Sequence, residues 1–319
     1  MAETASPRRY SYTALDTFVN CPMSYYLKYR ARKRPEERSI ALSFGNICHK
    51  VRELCSHALM AGETPDYGQL ENTLLHGWRG LSKADGTTEE SIDGVLDIQN
   101  EFASDWYAVE EDIPSYDERL ATVIAHLPDD ERQTDWKPLA AEISFEVPYE
   151  DVLLFGVIDK VEVNPQGELR IVDYKTSKKV FSDKQLTTPL QMYIYYLAAQ
   201  QLFPDQPVVQ CLYDFIALGE QREGGTCGWL KRADSKLHKI LESLRRCDLT
   251  DEWKPNPTPL CYWCGYNRTN PKADVAFFTE CDWYSLWKPT EKSFRTAKPW
   301  EPGTTMATIA TKKAGEFWF

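Results

Sequence analysis

No stretch of the 319 residues is long and apolar enough to cross a bilayer as a helix: uncharged apolar runs such as Val152 to Ile158 fall far short of the ~20 residues a span needs. Nor do the first ten residues hold an apolar segment behind their two arginines, so no secretory leader is expected. No period recurs along the chain, which excludes a repeat architecture. A Walker A sequence is absent too, which excludes a motor of the protein's own. Positive charge is scarce: 37 Lys and Arg stand against 48 Asp and Glu, a net charge of −11. That balance excludes a protein that coats nucleic acid indiscriminately, because phosphate binding needs positive charge where the contact is made. It is compatible with an enzyme that has acidic metal ligands and local basic patches. Three such patches are present, Arg30 to Arg34, Lys175 to Lys179 and Lys236 to Arg246, each of which by itself also reads as a solvated face.

Aromatic residues, in contrast, are plentiful: 13 Phe, 10 Trp and 17 Tyr in a chain that is 42% hydrophobic, which excludes disorder. A chain this long buries roughly 75% of its unfolded surface, so one large domain, or one with an insertion, is expected. Nine cysteines, an odd number without a leader, argue against a disulfide framework. They point to a reducing, cytoplasmic setting and to metal.

Periodicity divides the chain. Tyr12 to Tyr29 reads as a helix opened by Ser11 or Thr13 and interrupted at Cys21-Pro22. Phe44 to Met60 is a clearer helix with an apolar stripe of Ile47, Val51, Leu54 and Ala58. His49 lies about 200° round that helix from Ile47 and faces away from the stripe. Residues 62–138 look helical and loop-rich, an insertion or lid in which Ile92 to Val109 keep a helical period and no chemistry is visible. Leu139 to Pro148 alternates as a half-buried strand, and Val152 to Val163 is a more continuous one. Asn164-Pro-Gln-Gly167 is turn chemistry leading into a third strand, Glu168 to Tyr174. Thr188 to Phe203 is a helix with Pro189 in its first turn, Pro207 to Leu218 a fourth strand, and Trp229 to Cys247 a basic amphipathic helix. The expected class is α/β, a mixed central sheet flanked by helices.

Asp159 sits inside the apolar strand Phe155 to Val161, and Asp173-Tyr174-Lys175 closes the next one. Asp173 and Lys175 share a strand face by the period of two. A hairpin through the Asn-Pro-Gln-Gly turn brings Asp159 near Asp173. Two carboxylates with a backbone carbonyl between them form an oxygen-rich site suited to Mg2+ or Mn2+. Phosphodiester hydrolysis uses such an ion to activate water and neutralise phosphate, with a lysine beside it to steady developing charge. Gly156 would let a backbone come close. Glu142 is a further candidate, and an exposed strand residue on the alternative reading.

Three blocks, Phe155-Gly-Val-Ile-Asp159, Ile171-Val-Asp-Tyr-Lys-Thr176 and Gln191-Met-Tyr-Ile-Tyr195, resemble the motifs of RecB-type nucleases of the PD-(D/E)XK superfamily. Phe44-Gly-Asn-Ile-Cys-His49 and Tyr12 to Pro22 resemble the upstream motifs of the same group, in the same order. The resemblance implies a restriction-endonuclease-like αβββαβ core with a helical insertion. It implies that His49, Asp159, Asp173 and the Tyr174 carbonyl ligate the metal. Lys175 would be the catalytic lysine, and Gln191 and Tyr195 would brace the site or contact DNA. Asp173 stands where many relatives have Glu, a choice the motif permits.

Cys261-Tyr-Trp-Cys264 alone fits zinc, an iron–sulfur cluster or a redox pair. Several RecB-like nucleases, including AddB-type proteins and CRISPR-associated exonucleases, hold a [4Fe–4S] cluster on one amino-terminal and three carboxy-terminal cysteines. The resemblance therefore implies a cluster on Cys21, Cys261, Cys264 and Cys281, although Cys281 stands much farther from Cys264 than the pattern has it. The expected organisation is residues 1–61 as the helical start of the nuclease domain, 62–138 the insertion and 139–250 the core. Residues 251–288 would form a cysteine-rich part closing on Cys21, and 289–319 an irregular tail whose Phe-Trp-Phe end reads as a partner-binding peptide or as packing. Tyr25, Tyr26, Tyr29 and Trp229 read either as core aromatics or as platforms for unpaired bases.

Together these imply a metal-dependent DNA exonuclease acting at DNA ends or on single strands in recombination, repair or replication. It would work alone or with a helicase or recombination partner and touch no membrane. A non-catalytic nucleic-acid-binding or assembly subunit and a restriction-type endonuclease are the alternatives.

Overall fold

The computed structural model describes residues 7–33, 40–82, 113–127 and 135–256, with 258, 261, 264 and 266. The helical period of Ile92 to Val109, Cys281 and the tail from 289 lie outside them. Two compact units account for the chain: residues 1–12 with 37–239, and residues 13–36 with 240–319.

The first unit is built on a six-stranded mixed sheet. Its strands are β1 (Arg8–Ser11), β2 (Lys137–Tyr149), β3 (Val152–Val163), β4 (Leu169–Tyr174), β5 (Val208–Phe215) and β6 (Glu220–Glu223). The order is β1-β3-β4-β5-β6, with β2 also pairing β3. β1 runs parallel to β3 and β4 parallel to β5, while the β2–β3, β3–β4 and β5–β6 pairs are antiparallel. The mixed sheet with flanking helices is the α/β class the sequence predicts.

The β3–β4 hairpin follows from its turn. Asn164 Oδ1 accepts the Gln166 and Glu168 N–H groups at 3.0 and 2.9 Å, and Gly167 takes a φ of 81°. The resulting register pairs Lys160 with Val172, so that Asp159 comes next opposite Asp173. The parallel β4–β5 pair needs a crossover, supplied by α6 (Asp183–Thr187) and α7 (Leu190–Leu202). Ser182 and Gln185 form a capping box at the start of α6. α7 begins one residue after Pro189, which caps it instead of lying in its first turn. Strands β1 and β6 and helix α6 escape the sequence reading because four or five residues are too few to establish a period.

Against one face pack α3 (Ile40–Met60), α4 (Tyr67–Ser82) and α5 (Ile113–Ala125). Their core joins Ile47, Cys48, Val51 and Cys55 of α3 to Leu74 of α4, Leu120 and Val123 of α5, and Val172, Tyr174 and Leu212 of the sheet. The buried stripe of α3 therefore differs from the expected one. Leu54 is exposed, whereas the thiols of Cys48 and Cys55 are fully buried, as small apolar groups. Residues 62–138, read as an insertion or lid, contribute two helices to this core.

In the second unit are α1 (Tyr12–Asn20), α2 (Pro22–Tyr25) and a π-helical turn over Tyr26–Arg30. The long helix α8 (Trp229–Thr250) begins in the first unit and ends in this one. Trp253 stacks on Tyr25 with ring centroids 5.7 Å apart and meets Phe18 edge-on at 6.5 Å. The Arg30 guanidinium lies over both the Tyr25 and Trp253 rings and pairs with Asp248 at 2.9 Å. Tyr25 is thus a core aromatic and no platform for bases.

Candidate active site

His49 comes from α3, which runs close to the chain leaving β4. A Cβ on Gly45, one turn before His49, would lie 3.2 Å from Thr176 Oγ1. That approach carries the imidazole onto the end of the strand. Its Nε2–H donates to the Tyr174 carbonyl at 3.1 Å, while Nδ1 faces Asp159 Oδ1 at 3.6 Å and Glu142 Oε1 at 3.9 Å.

Asp159 is buried where β3 and β4 cease to pair. Its Oδ2 accepts the Tyr174 N–H at 2.7 Å, a charge-assisted bond that replaces the next rung of the ladder. Glu142 stands across from Asp159 on β2 and has a φ of 47°. The left-handed region costs a residue with a Cβ about 1–2 kcal/mol, and that strain is stored at the site.

Ligand atoms of His49, Glu142 and Asp159 lie within 4.8 Å of one another, the one such group among the described residues. One imidazole nitrogen, two carboxylates and the neighbouring Tyr174 carbonyl make a hard, oxygen-rich donor set that fits Mg2+ or Mn2+. The electrostatics fit as well. Burial disfavours a charged His49, yet hydrogen bonds to Asp159 and Glu142 and the charges of Asp159 and Asp173 outweigh it and push its pKa up to about 10. Without an ion, a proton answers the negative charge here. To ligate a cation here His49 would have to give up that proton, because an imidazole must be neutral to ligate.

Asp173 lies outside that three-residue group. Its Oδ2 is 2.6 Å from Lys175 Nζ. Burial raises the Asp173 pKa to about 6; Lys175 pulls it down and Asp159 pushes it up. Lys175 keeps its backbone on the sheet through a 2.8 Å bond from its N–H to the Asp214 carbonyl. Its Nζ also donates to Gln191 Oε1 at 2.9 Å, and Gln191 Nε2 donates to Tyr195 Oη at 3.0 Å. Gln191 and Tyr195 are one turn apart on α7 and brace the lysine in series. Burial, together with Asp173 and Asp159, pushes the Tyr195 pKa far up, so its hydroxyl remains a donor.

Tyr213 escaped the sequence reading. It pairs with Asp173 across the β4–β5 ladder and presents its ring 5.7 Å from Lys175 Nζ. A parallel neighbour becomes visible only once the order of the strands is known. Gly156 does not admit a backbone as expected. The Phe145 ring covers it, with Cζ 3.0 Å from where a Cβ would stand.

Of the predicted cluster ligands, Cys21, Cys261 and Cys264 gather in the second unit. The Cys261 and Cys264 thiols are pushed up chiefly by burial and also by Cys21. The Asn256 N–H donates to Cys21 Sγ at 3.5 Å and the Thr258 N–H to Cys261 Sγ at 3.3 Å. Among the described residues these cysteines do not form a group as tight as that around His49.

Residues 9–269 match the family model of the PD-(D/E)XK nuclease superfamily. No curated protein matches the chain. The matched span takes in most of the chain, from β1 past the Cys-X-X-Cys. The protein belongs to the PD-(D/E)XK nuclease superfamily, and metal-dependent nuclease chemistry is what that membership implies.

Proposed function

We propose that this member of the superfamily is a metal-dependent deoxyribonuclease that works as an exonuclease, at DNA ends or on single strands, in recombination, repair or replication. The observation that carries the reading is the Lys175 ammonium, held between Asp173 and Gln191 beside the His49, Glu142 and Asp159 donors. His49, Asp159, Asp173 and the Tyr174 carbonyl would hold Mg2+ or Mn2+, with Glu142 completing the donors. The ion supplies charge neutralisation and water of lowered pKa. Lys175, aimed by these contacts, would orient the attacking water or steady charge developing on the phosphate. Gln191 holds that ammonium in place, and the Tyr195 hydroxyl holds Gln191. Exonuclease action, rather than internal cutting, rests on the resemblance of the five sequence blocks to RecB-type enzymes. The same resemblance supports a helicase or recombination partner, since the chain has no Walker A sequence.

Cys21, Cys261 and Cys264, with Cys281, are proposed to carry a [4Fe–4S] cluster. In favour are the gathering of three thiols and two backbone N–H donors aimed at sulfur, the outer-shell bonds that tune such ligands. Iron and sulfide analysis of anaerobically reconstituted protein, beside Cys21→Ala, decides this independently of activity. Protein that takes up neither element overturns it.

The nuclease reading is tested with 5′- and 3′-labelled single- and double-stranded DNA, in Mg2+, Mn2+ or EDTA, beside Lys175→Ala. Metal-dependent digestion lost in the variant is expected, and the ladder gives the polarity. Cutting of closed circles would shift the reading to an endonuclease. Folded wild type that binds DNA and cuts nothing under any metal would make it a non-catalytic binding subunit.

A further inference from the structure

α5 lies in the stretch where the sequence reading found no chemistry, yet it touches the loop that leaves the catalytic lysine. Arg119 of α5 is buried, and its guanidinium lies 4.7 Å from the centres of both the Phe44 and the Tyr116 rings. Its Nη2 donates to the Thr176 carbonyl, one residue past Lys175. Nε is buried with no acceptor, and among the described residues no carboxylate lies within ion-pair distance. A second contact follows along the same loop: Lys178 Nζ sits 5.4 Å from the Tyr116 ring centre.

This is an expensive way to hold a helix. Taking a cation out of water is costly even after relaxation, and an apolar side chain of similar volume between two rings avoids that cost. The return comes through one charge-assisted bond, and its acceptor is the peptide that fixes how the chain departs from Lys175. Upstream, Lys175 is anchored by its own N–H on β5. Downstream, the first peptide of the loop to α6 is held at Thr176, by Arg119 on its carbonyl and by Gly45 of α3, which makes room for its hydroxyl; farther on, Lys178 meets the Tyr116 ring and Phe181 packs edge-on against Tyr213 and Phe215 at 5.0 and 5.2 Å.

We infer that Arg119 is a positioning residue. By gripping the Thr176 carbonyl it fixes the peptide after Lys175, and so the ammonium between Asp173 and Gln191. The helices of residues 62–138 are then part of the catalytic apparatus and not a separate cover. The inference rests on the nuclease reading above, in which Lys175 acts on the scissile phosphate. Misplacing a reacting group by about 1 Å costs on the order of a hundredfold in rate, and this loss falls on kcat because the lysine's charge remains available for binding.

The test is steady-state digestion of labelled DNA in Mg2+ by full-length wild type, Lys175→Ala, Arg119→Met and Arg119→Lys, each normalised to folded protein by circular dichroism. Arg119→Met removes the buried cation at similar length, so its thermal stability is expected to hold or rise. Arg119→Lys keeps a cation between the rings but lacks the reach and fork of the guanidinium. The expected result is a kcat at least tenfold below wild type in both, with KM within about threefold. A structural role predicts the opposite pattern, altered melting and unchanged kcat per folded molecule. A kcat within twofold of wild type in either folded variant overturns the inference, and Arg119→Lys alone decides it by the same criterion if Arg119→Met does not fold. Wild type without metal-dependent activity would instead sink the nuclease reading, an outcome separate from either.

Discussion

Replacing Asp173 by Asn gives the sharpest check on the electrostatics of the site. Burial raises the Asp173 carboxyl from 3.8 to about 6 in the folded, metal-free protein. A carboxyl with a higher pKa folded than unfolded holds its proton more tightly in the folded state. Its stabilising contribution is complete below about pH 4 and is lost as pH rises through about 6. Two pH units at 1.36 kcal/mol each make the loss about 3 kcal/mol, and no discount for solvent screening applies to a side chain 1% exposed. Asn has no such proton. The expected result, from urea unfolding in EDTA at a series of pH values, is a difference between wild type and Asp173→Asn that shifts by about 2 kcal/mol in the variant's favour between pH 4 and 6.5. His49 titrates in both proteins and cancels to first order. Saturating Mg2+ should then stabilise wild type, by about 2.7 kcal/mol at a hundred times its Kd for an ion held only by the folded state, and the variant by less. A difference that stays flat across this range, or shifts toward wild type as pH rises, refutes the reasoning.

Gly156→Ala drives a methyl to within 3.0 Å of Phe145 Cζ. It is expected to cost about 1–3 kcal/mol in chemical denaturation, with part recovered by adding Phe145→Leu. Gln191→Ala leaves Lys175 with Asp173 but cuts its link to Tyr195. Its kcat should fall roughly tenfold to a hundredfold with little change in melting temperature, read from the same DNA digestion. Trp253→Ala empties the centre of the Phe18, Tyr25 and Tyr26 ring cluster and should cost about 3–5 kcal/mol, seen as early proteolysis of the second unit.

Much of the site could be read from the sequence because its signals are local. Asp159, Asp173 and Lys175 lie on two strands joined by a turn whose chemistry is explicit, so the hairpin register follows from the residues. Gln191 and Tyr195 are one helical turn apart. His49 stood out because it left its own apolar stripe. What the sequence did not yield depends on distant partners. Arg119 reads as any surface arginine until α5 is packed against α3. Tyr213 reads as a strand aromatic until β5 lies beside β4. The stripe of α3 was misjudged because hydropathy ranks Leu54 above a cysteine, whereas the tight α3–α4–α5 packing favours the smaller thiols. Glu142 is a candidate from the sequence, but its own left-handed backbone inside a strand is a feature no alternation pattern predicts.

The last strand of the sheet, β6, has only four residues, Glu-Gln-Arg-Glu, and all four are exposed. A sheet edge with free N–H and C=O groups is a template for the next chain, and short length and charge are the usual ways to blunt it. If two copies joined antiparallel along this rim over its full length, residue 220 would stand opposite 223, so Glu220 would meet the like charge of Glu223 at both ends, and the ribbon would end after four residues. Strand addition at β6 is thereby discouraged, both in the crowded cell and during folding. Copies of the chain that assemble would do so through side-chain surfaces rather than through a shared sheet across β6.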